Sequence, residues 1–353
     1  MKIAVLNDTH AGIRSSSQVF IDYQEKFYSQ IFFPYLKQHD IKHILHLGDY
    51  YDHRKYVNFN ALNANRKHFL EPMCDLRIVM DIIPGNHDVY YKNTNQLCSL
   101  KELLGYFTSN IHIAMEPEIA NYEKLPIALI PWINAENYAA TMQFLDKCDA
   151  PWVAAHLELA GFDLMKGITQ SHGMNADLFS KFDKVITGHY HTKSSKGNVE
   201  YLGSQMEFTW ADCNDPKYFH VIDTTDRSIT PVKNPITLFE KITYDDNFDI
   251  PDVNKLDLEG KYVKIIVAAK NDPYLFDKFV DSVSNLNPHD LKISESFDQF
   301  HNSNVNIDEK FSVENTLQIL DSYVESTDTD LQKDSLKSIM HGLYSEASTM
   351  DSV

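Results

Sequence analysis

The sequence contains few cysteines, and they are far apart. Cys74, Cys98, Cys148 and Cys213 are the four in a chain of 353 residues, and no two of them form a Cys-x-x-Cys pair. Such pairs are typical of structural zinc sites and of redox motifs. We therefore expect reduced thiols in a cytosolic protein, with no disulfide framework and no thiolate-rich metal site.

Positive charge is also scarce. The chain has 32 Lys and Arg against 50 Asp and Glu, which gives a formal net charge of −18. A protein that holds nucleic acid by itself needs a basic surface, because its binding energy comes largely from phosphate neutralisation. This charge argues against a stand-alone binder of that kind. It leaves open an enzyme whose metals neutralise its carboxylates, or whose partner supplies the basic groove.

Long hydrophobic runs are absent. No apolar stretch approaches the ~20 residues that span a bilayer, and the start, "MKIAVLNDTHAG", lacks the apolar stretch and cleavage site of a signal peptide. We expect no membrane segment and a cytoplasmic location. The hydrophobic content of 43% and the aromatic content of 12% are sufficient for a sizeable core.

Residues 1–235 alternate short apolar runs with helical patterns. A helical pattern at 17–40, for example, lies between the apolar runs "IAVLND" and "IKHILHLGD". Continuous apolar strands that alternate with helices predict a layered α/β domain with its helices on the outside.

The pattern changes after residue 235. Residues 236–298 predict a small α+β module with the order strand, strand, helix, strand, and the polar residues 299–312 predict a linker. The segment 313–353 predicts two short amphipathic helices, which could dock on their own domain or bind a partner helix or coiled coil. Their apolar stripes are Leu317, Leu320 and Tyr323, and then Leu336, Ile339, Met340 and Leu343.

Metal-ligand side chains follow five of the predicted strands. The strand ends are "NDTH", "LGDYYDHR", "PGNHDV", "AAHLE" and "TGHYH". Carboxyl ends of strands are where open α/β sheets build their sites. If His189 and His191 both lie on a strand, their rings share one face. The candidates are Asp8, His10, Asp49, Asp52, His53, Asn86, His87, Asp88, His156, His189 and His191.

Each candidate alone has a simpler explanation. Asp8 could be a cap or turn residue, Asp49 could belong to a strand-to-loop turn, and Asn86 with His87 could form a turn after glycine. His156 could be a core histidine on an apolar strand. Five independent coincidences in this order are improbable, so the set as a whole predicts a metal centre.

This order of motifs, D-x-H, G-D-x-x-D, G-N-H-D, a lone His and G-H-x-H, resembles the calcineurin-like metallophosphoesterases. The resemblance implies a two-layer β-sandwich core flanked by helices, with two divalent metals at the strand ends. It also implies that His87 is the catalytic histidine. By this resemblance, Asp8, His10, Asp49 and His191 would hold the first metal, and Asp49, Asn86, His156 and His189 would hold the second.

The chemistry of phosphodiester hydrolysis suits such residues. Two cations ~3.5–4 Å apart can clamp the phosphate oxygens and lower the pKa of water, and a bridging carboxylate can hold them that close. Ligands of His, Asp and Asn suit Mn²⁺, with Mg²⁺, Fe²⁺ or Zn²⁺ as alternatives. His87 could protonate the leaving oxygen, a contribution of about 10²–10⁴-fold.

Within the superfamily, the chain departs from protein phosphatases, which carry G-D-x-x-D-R-G and G-N-H-E. Here His53 follows Asp52, and the third motif ends in Asp88. The wider pattern, including "IIPGNHDVYYKN" and "YLGSQMEFTWADCNDPKYFHVIDT", is similar to compact bacteriophage forms of the SbcD family of DNA-repair nucleases. Some relatives have His at the position of Asp52. Asp52 is therefore given a supporting role, either next to a ligand or structural, and His53 is not counted as catalytic.

The SbcD resemblance implies partners as well as a substrate. It implies DNA, an SbcC-type coiled-coil ATPase clasped by 313–353, a capping domain at 236–298, and a homodimer formed through helices at 58–71 and 95–106. The apolar candidates for the dimer, which could instead face their own sheet, are Phe59, Leu62, Phe69, Leu100 and Leu103.

The expected function is a Mn²⁺-dependent DNA exonuclease subunit, with endonuclease activity left open, for recombination and double-strand-break repair, in the host cytoplasm if the chain is viral. One alternative is a small-molecule or cyclic-nucleotide phosphodiesterase on the same scaffold. The other is a non-catalytic scaffold for the ATPase.

Overall fold

The computed structural model describes residues 1–107, 109–165, 168–248, 250–295, 324 and 332–349. The chain divides into two compact units. The first comprises 1–206 and 216–236, and the second comprises 207–215 and the chain from 237 onward. Among the described residues, no helix combines the length and apolar character needed to cross a membrane.

The first unit contains two six-stranded sheets. The first sheet has the order β14-β13-β1-β2-β3-β4, in which β1 to β4 are parallel neighbours and β13 is antiparallel to β1. Its strands are β1 (Lys2–Leu6), β2 (His43–His46), β3 (Val79–Ile82), β4 (Ile111–Ile113), β13 (Lys217–Asp223) and β14 (Ser228–Asn234).

The second sheet has the order β11-β12-β10-β7-β6-β5. Strands β6, β7, β10 and β12 run parallel, and the edge strands β5 and β11 are antiparallel to their neighbours. The strands are β5 (Glu118–Tyr122), β6 (Leu125–Ile130), β7 (Trp152–His156), β10 (Lys184–Gly188), β11 (Ser194–Lys196) and β12 (Val199–Tyr201). A separate two-stranded ribbon joins β8 (Asp163–Met165) to β9 (Ile168–Thr169).

The two sheets pack face to face over one apolar core. Ile3 and Leu45 from the first sheet belong to the same buried cluster as Ile127 and Ile186 from the second. Strand β7 is buried along its whole length, as expected for a strand covered on both faces. The predicted two-layer sandwich is therefore confirmed.

Helices cover the outer faces of the sandwich. Residues 18–38 form α1, in which the α-helical segments Gln18–Lys26 and Phe33–Gln38 flank a π-helical turn, Phe27–Phe32. Residues 59–75 form α2 in the same way, around the π-helical turn Arg66–Leu70.

Aromatic side chains attach α1 and α2 to the first sheet. Phe32 of α1 lies edge-on to Phe219 of β13, with ring centroids 5.1 Å apart, and Phe69 of α2 stacks on Phe32. On the other side of the sandwich, Leu145 of α4 (Tyr138–Lys147) belongs to a buried cluster with Val153 and Val185 of the second sheet. The predicted outer helices are thus confirmed.

The core of the second unit is a three-stranded parallel sheet with a helix packed on it. Its elements are β15 (Phe239–Asp245), β16 (Tyr262–Ala269), α5 (Pro273–Ser284) and β17 (Asp290–Glu295), in the predicted order. Phe276 and Phe279 of α5 pack on Ile265 of the sheet.

The segment 207–215 joins the second unit through Glu207 and Trp210, which the sequence did not indicate. The Glu207 carboxylate accepts hydrogen bonds from the N–H groups of Leu238 and Phe239, and Trp210 packs edge-on against Phe239.

The last described helix is α6 (Lys333–Thr349), at the position of the second predicted amphipathic helix. Two of its predicted stripe residues, Ile339 and Leu343, are 58% and 54% exposed. The predicted linker 299–312 lies outside the described residues, as does the first predicted helix except for Val324.

The helices predicted to form a dimer differ from expectation in part. The second is shorter than predicted, because α3 spans only Ser99–Leu104. Phe69 and Leu100 are fully buried, so these two pack within their own unit, which is the alternative that the sequence left open. Phe59, by contrast, is 87% exposed, and Leu62 and Leu103 are half-buried.

Candidate metal centre

The candidate ligands meet where the parallel strands of the two sheets end. His156 is the last residue of β7, but the other candidates lie in loops just beyond their strands. β1 ends at Leu6, two residues before Asp8. β10 ends at Gly188, so His189 and His191 are in a loop. The condition under which their rings would share one face of a strand is therefore not met.

Four candidate ligands have backbone conformations that side chains disfavour. The φ angles are 48° at Asp8, 44° at His10, 53° at Asp49 and 91° at His189. Such residues cost roughly 1–3 kcal/mol each and persist only where the surrounding structure imposes them. Here the loops hold one another, since Asp8 N donates to the Gly48 carbonyl at 2.9 Å and His10 N to the Asp49 carbonyl at 3.0 Å.

Asp8, His10 and His191 form one group of converging ligand atoms. These atoms lie within 4.8 Å of one another, and the Nε2 atoms of His10 and His191 are 3.2 Å apart. The Asp8 carboxylate accepts hydrogen bonds from Asn7 Nδ2 at 2.6 Å and from the backbone N–H of His189 at 3.1 Å. These bonds fix the carboxylate toward the two rings.

Asp49, His156 and His189 form a second group, again within 4.8 Å. Asn86 joins it, because its Oδ1 is 3.0 Å from His156 Nε2 and 2.8 Å from His189 Nδ1. Asp49 Oδ2 is 3.4 Å from His156 Nε2 and 3.9 Å from His10 Nε2 of the first group. Asp49 thus lies between the two groups, while His189 and His191 belong to different ones.

The donor set fits two divalent cations. Two histidine nitrogens face each other in the first group, and an amide oxygen faces two ring nitrogens in the second. Buried carboxylates complete both groups. Imidazole, carboxylate and amide oxygen are ligands for first-row divalent metals, and no cysteine is among them.

His87 lies beside both groups. Its side chain forms a third cluster with His10 and Asp49, and its ring is edge-on to that of His10 at 4.9 Å. Its backbone N–H donates to Asp49 Oδ1 at 2.7 Å, and its Nδ1 is 2.5 Å from the carbonyl oxygen of Asp52. The ring is therefore held at one nitrogen, and Nε2 is the atom available for proton exchange.

Asp52 touches two site histidines. Beyond its carbonyl contact with His87, its Oδ1 is 3.3 Å from His10 Nδ1. Burial alone would raise the pKa of Asp52, but the hydrogen bond and charge of His10 outweigh it and lower the pKa. A carboxylate at the second nitrogen of a ligating histidine orients the ring and raises its basicity. His53 is exposed and stacks on Tyr56 instead.

Charge is unevenly distributed over the site. Burial lowers the pKa of His10, but Asp52, Asp49 and Asp8 outweigh it and raise that pKa to about 9. The pKa of His156 also rises to about 9, because Asp49 outweighs burial. Burial and the neighbouring His156 hold the pKa of His189 well below its usual range.

Two supporting residues were not assigned roles from the sequence. The Asp88 carboxylate accepts hydrogen bonds from the N–H groups of Gly85, Tyr50 and Tyr51, and so ties the second motif to the third. Asp88 is the last residue of the G-N-H-D motif, and this position is the feature of the sequence that could have indicated its role. His46 is buried at the end of β2, where burial lowers its pKa to about 3. His46 Nε2 is 3.0 Å from the Thr9 hydroxyl. Because His46 lies in an apolar strand, the sequence did not indicate that it supports the site.

Glycine permits the close approach of the loops. A Cβ on Gly85 would collide with the backbone N and the carboxylate of Asp49, and a Cβ on Gly188 would lie 2.9 Å from Asp8 Oδ2. The glycines in "PGNHD" and "TGHYH" therefore leave room for ligands from neighbouring strands.

A sandwich with two ligand groups at its strand ends is the arrangement that the motif resemblance implies for a metallophosphoesterase. The family model described as calcineurin-like phosphoesterase matches residues 1–193, more than half of the chain, so the chain belongs to this family. It is 28% identical over 354 residues to exonuclease subunit 1 of Enterobacteria phage T4, covering 98% of this chain and 99% of that protein. It is 25% identical over 189 residues to the SbcD component of the nuclease SbcCD from Staphylococcus saprophyticus, covering 50% of this chain and 48% of that protein. The resemblance stated from the motifs is confirmed.

Proposed function

We propose that this chain is the nuclease subunit of a DNA-processing complex. It hydrolyses phosphodiester bonds with two divalent ions, Mn²⁺ by preference, as an exonuclease, with endonuclease activity left open. It acts with an SbcC-type ATPase in recombination and double-strand-break repair, in the host cytoplasm if the chain is viral. The observation that carries the proposal is Asp49, which lies between two histidine-rich groups with His87 beside it.

Seven residues would hold the two ions. When bound, the ions supply the Lewis acidity that neutralises the phosphate and lowers the pKa of water. Asp49 would contribute to both sites, because its Oδ2 faces a ring nitrogen of each group. The remaining ligands would be Asp8, His10 and His191 for one ion and Asn86, His156 and His189 for the other.

His87 is the proposed catalytic residue, and Asp52 positions it. The carbonyl of Asp52 accepts from His87 Nδ1, which leaves Nε2 to donate a proton to the departing 3′-oxygen. The side chain of Asp52 holds His10 through its Nδ1. One residue thus orients both a ligand and the proton donor.

Exposed apolar residues and the relatives support the proposed partners. Ile339 and Leu343 of α6 are more than half exposed, which supports a hydrophobic receptor on a coiled-coil ATPase. A relative named as one component of a nuclease complex supports the same interpretation. Phe59, almost fully exposed at the start of α2, supports the proposed homodimer. Residues 236–298 would be the capping domain.

The test is cleavage of end-labelled linear DNA, single- and double-stranded, with Mn²⁺ or Mg²⁺ and with or without the ATPase. We expect Mn²⁺-dependent products from the chain alone and a change in rate with the ATPase. Turnover of a cyclic nucleotide or small diester without any cleavage of DNA would instead support the small-molecule phosphodiesterase. A chain that binds the ATPase and cleaves neither substrate would support the scaffold.

Two variants separate the proposed roles. His87→Ala should keep two metals per chain while turnover falls by about 10²–10⁴-fold, because the variant removes an acid and no ligand. Asp49→Ala should lose both metal and activity. Two ions per chain in metal analysis of Asp49→Ala would contradict the ligand assignment.

A further inference from the structure

Two stretches next to the metal centre differ in charge from the rest of the chain. Residues 53–70 and 89–101 contain no Asp or Glu, although 50 of the 353 residues are acidic. They follow the second and third motifs directly. Each begins with a loop that mixes aromatic and basic side chains, which we call the aromatic loops: 53–56, His-Arg-Lys-Tyr, and 89–92, Val-Tyr-Tyr-Lys.

The aromatic loops are attached to the catalytic machinery. The carbonyl of Asp52, one residue before the first loop, accepts from His87. The Asp88 carboxylate, one residue before the second loop, accepts from the N–H of Tyr51. The second loop is also held at its far side, where Tyr90 N donates to the Leu97 carbonyl at 3.0 Å. The first loop therefore starts one residue after a group that orients His87, and the second starts one residue after Asp88, the chain neighbour of His87.

Their aromatic rings contact one another and remain open to solvent. The rings of His53 and Tyr56 stack with centroids 3.7 Å apart, and Tyr90 and Tyr91 meet edge-on at 4.7 Å. Lys55 Nζ lies 6.0 Å from the centre of the Tyr90 ring, which brings the two loops together. Tyr56 is 62% exposed and Tyr91 is 52% exposed.

Exposed aromatic rings interleaved with cations are suited to unpaired nucleic acid. Every unstacked base offers a π-face to a tyrosine ring, and lysine or arginine between the rings can neutralise the phosphates. A base stacked on such a ring contributes roughly 5- to 150-fold in affinity. Bases inside an intact duplex are stacked on each other and cannot stack on the rings. The rings therefore favour unpaired DNA over duplex DNA.

We infer that the aromatic loops bind an unpaired segment of DNA beside the metal centre. Bases stack on Tyr56 and Tyr91, and Arg54, Lys55 and Lys92 contact the phosphates. The inference rests on the proposed nuclease function and adds a substrate preference to it. The chain favours single strands and frayed ends over blunt duplex ends.

The test compares two substrates in the full chain with Mn²⁺: a single-stranded thymidine oligonucleotide and methyl 4-nitrophenyl phosphate, a diester without a base. In the double variant Tyr56→Ala with Tyr91→Ala, kcat/KM for the oligonucleotide should fall at least tenfold relative to that for the small diester. The loss should be mainly in KM. The double variant with Phe at both positions should restore the ratio, because phenylalanine keeps the ring.

Tyr274→Ala is the matched control. Tyr274 is 67% exposed and has Lys278 Nζ 4.5 Å from its ring centre, but it lies on α5 of the second unit. Its variant should keep both activities. A second, independent variant combines Arg54→Gln and Lys55→Gln. It should reduce the dependence of oligonucleotide affinity on salt by about 0.7 in the log–log slope for each phosphate that the variant no longer neutralises.

The outcomes separate this inference from the proposed function. If the wild-type chain cleaves the diester but no DNA, the nuclease function itself fails. If the wild-type chain cleaves DNA and the double alanine variant keeps the wild-type ratio, only the inference is overturned. Failure of the phenylalanine variant to restore the ratio, or an unchanged salt slope in the glutamine variant, overturns it as well.

Discussion

Replacing Gly85 with alanine should disable the metal centre although no ligand residue is replaced. A Cβ at this position would lie 2.8 Å from Cγ of Asp49 and closer still to its Oδ1 and backbone N. The obstruction includes backbone, so a rotation of the Asp49 side chain cannot relieve it. The loops that carry Asp49 and Asn86 must move apart.

The size of the effect follows from these contacts. Carbon atoms normally approach to about 3.5–4.0 Å, so the Asp49 carboxylate must retreat by about 1 Å. A misplacement of that size in a reactive site costs about 10²-fold in rate. Overpacking costs about 1–3 kcal/mol of unfolding free energy, which lowers the Tm of a domain of this size by about 2–12 °C.

The assays are thermal unfolding, metal stoichiometry and phosphodiester turnover, each compared with Gly342→Ala. A Cβ on Gly342 meets open space on α6, where alanine should stabilise the helix by up to about 1 kcal/mol. Gly85→Ala should bind fewer than two ions per chain and lose at least 10²-fold in turnover. Two ions, wild-type turnover and an unchanged Tm together would refute the reasoning.

Three further predictions concern protons, acid stability and the C-terminus. His10 and His156, with pKa values of about 9 in the metal-free chain, carry protons at pH 7 that a bound metal must displace. Metal binding should therefore release about two protons per chain, and its affinity should rise toward pH 9. Titration calorimetry with enthalpies independent of the buffer would contradict this. Burial lowers the pKa of His220 to about 4, and neither of its ring nitrogens has a hydrogen-bond partner among the described residues. As the pH falls, the unfolded state takes up the His220 proton first. The contribution of neutral His220 to the free energy of unfolding is therefore fully present above pH ~6.5. It is lost as the pH falls through ~4, a total loss of about 3 kcal/mol. His220→Leu should flatten the decline of Tm between pH 7 and 5 relative to wild type, and an equal decline would exclude the histidine as its cause. Deleting 305–353 should preserve metal binding and Mn²⁺ nuclease activity but abolish co-purification with the ATPase. An intact complex, or an unfolded phosphoesterase domain, would rule out the clasp.

The fold class was predictable because its strands are apolar on both faces. β1 and β7 are almost wholly buried, so they appear in the sequence as continuous apolar runs. Edge strands give no such signal. β14 is largely exposed and contains Pro231, which edge strands tolerate, and β5 alternates weakly. The sequence did not indicate that 207–215 belongs to the second unit. Its contacts with 238–239 come from the single side chains of Glu207 and Trp210, which form no periodic pattern.

The composition of the site was predictable, but its internal geometry was not. Residue type and order place Asp8, Asp49 and His156 at one edge of the sheets, because strand direction alone brings these positions together. Which ring faces which group depends on loop dihedrals, as the φ of 91° at His189 illustrates. The role of Asp52 depends on a carbonyl oxygen 2.5 Å from His87, and every residue type offers a carbonyl. A relative with histidine at this position could therefore keep the backbone contact to His87 while losing the carboxylate that holds His10. The two contacts of Asp52 are therefore separable by substitution, although one residue makes both here.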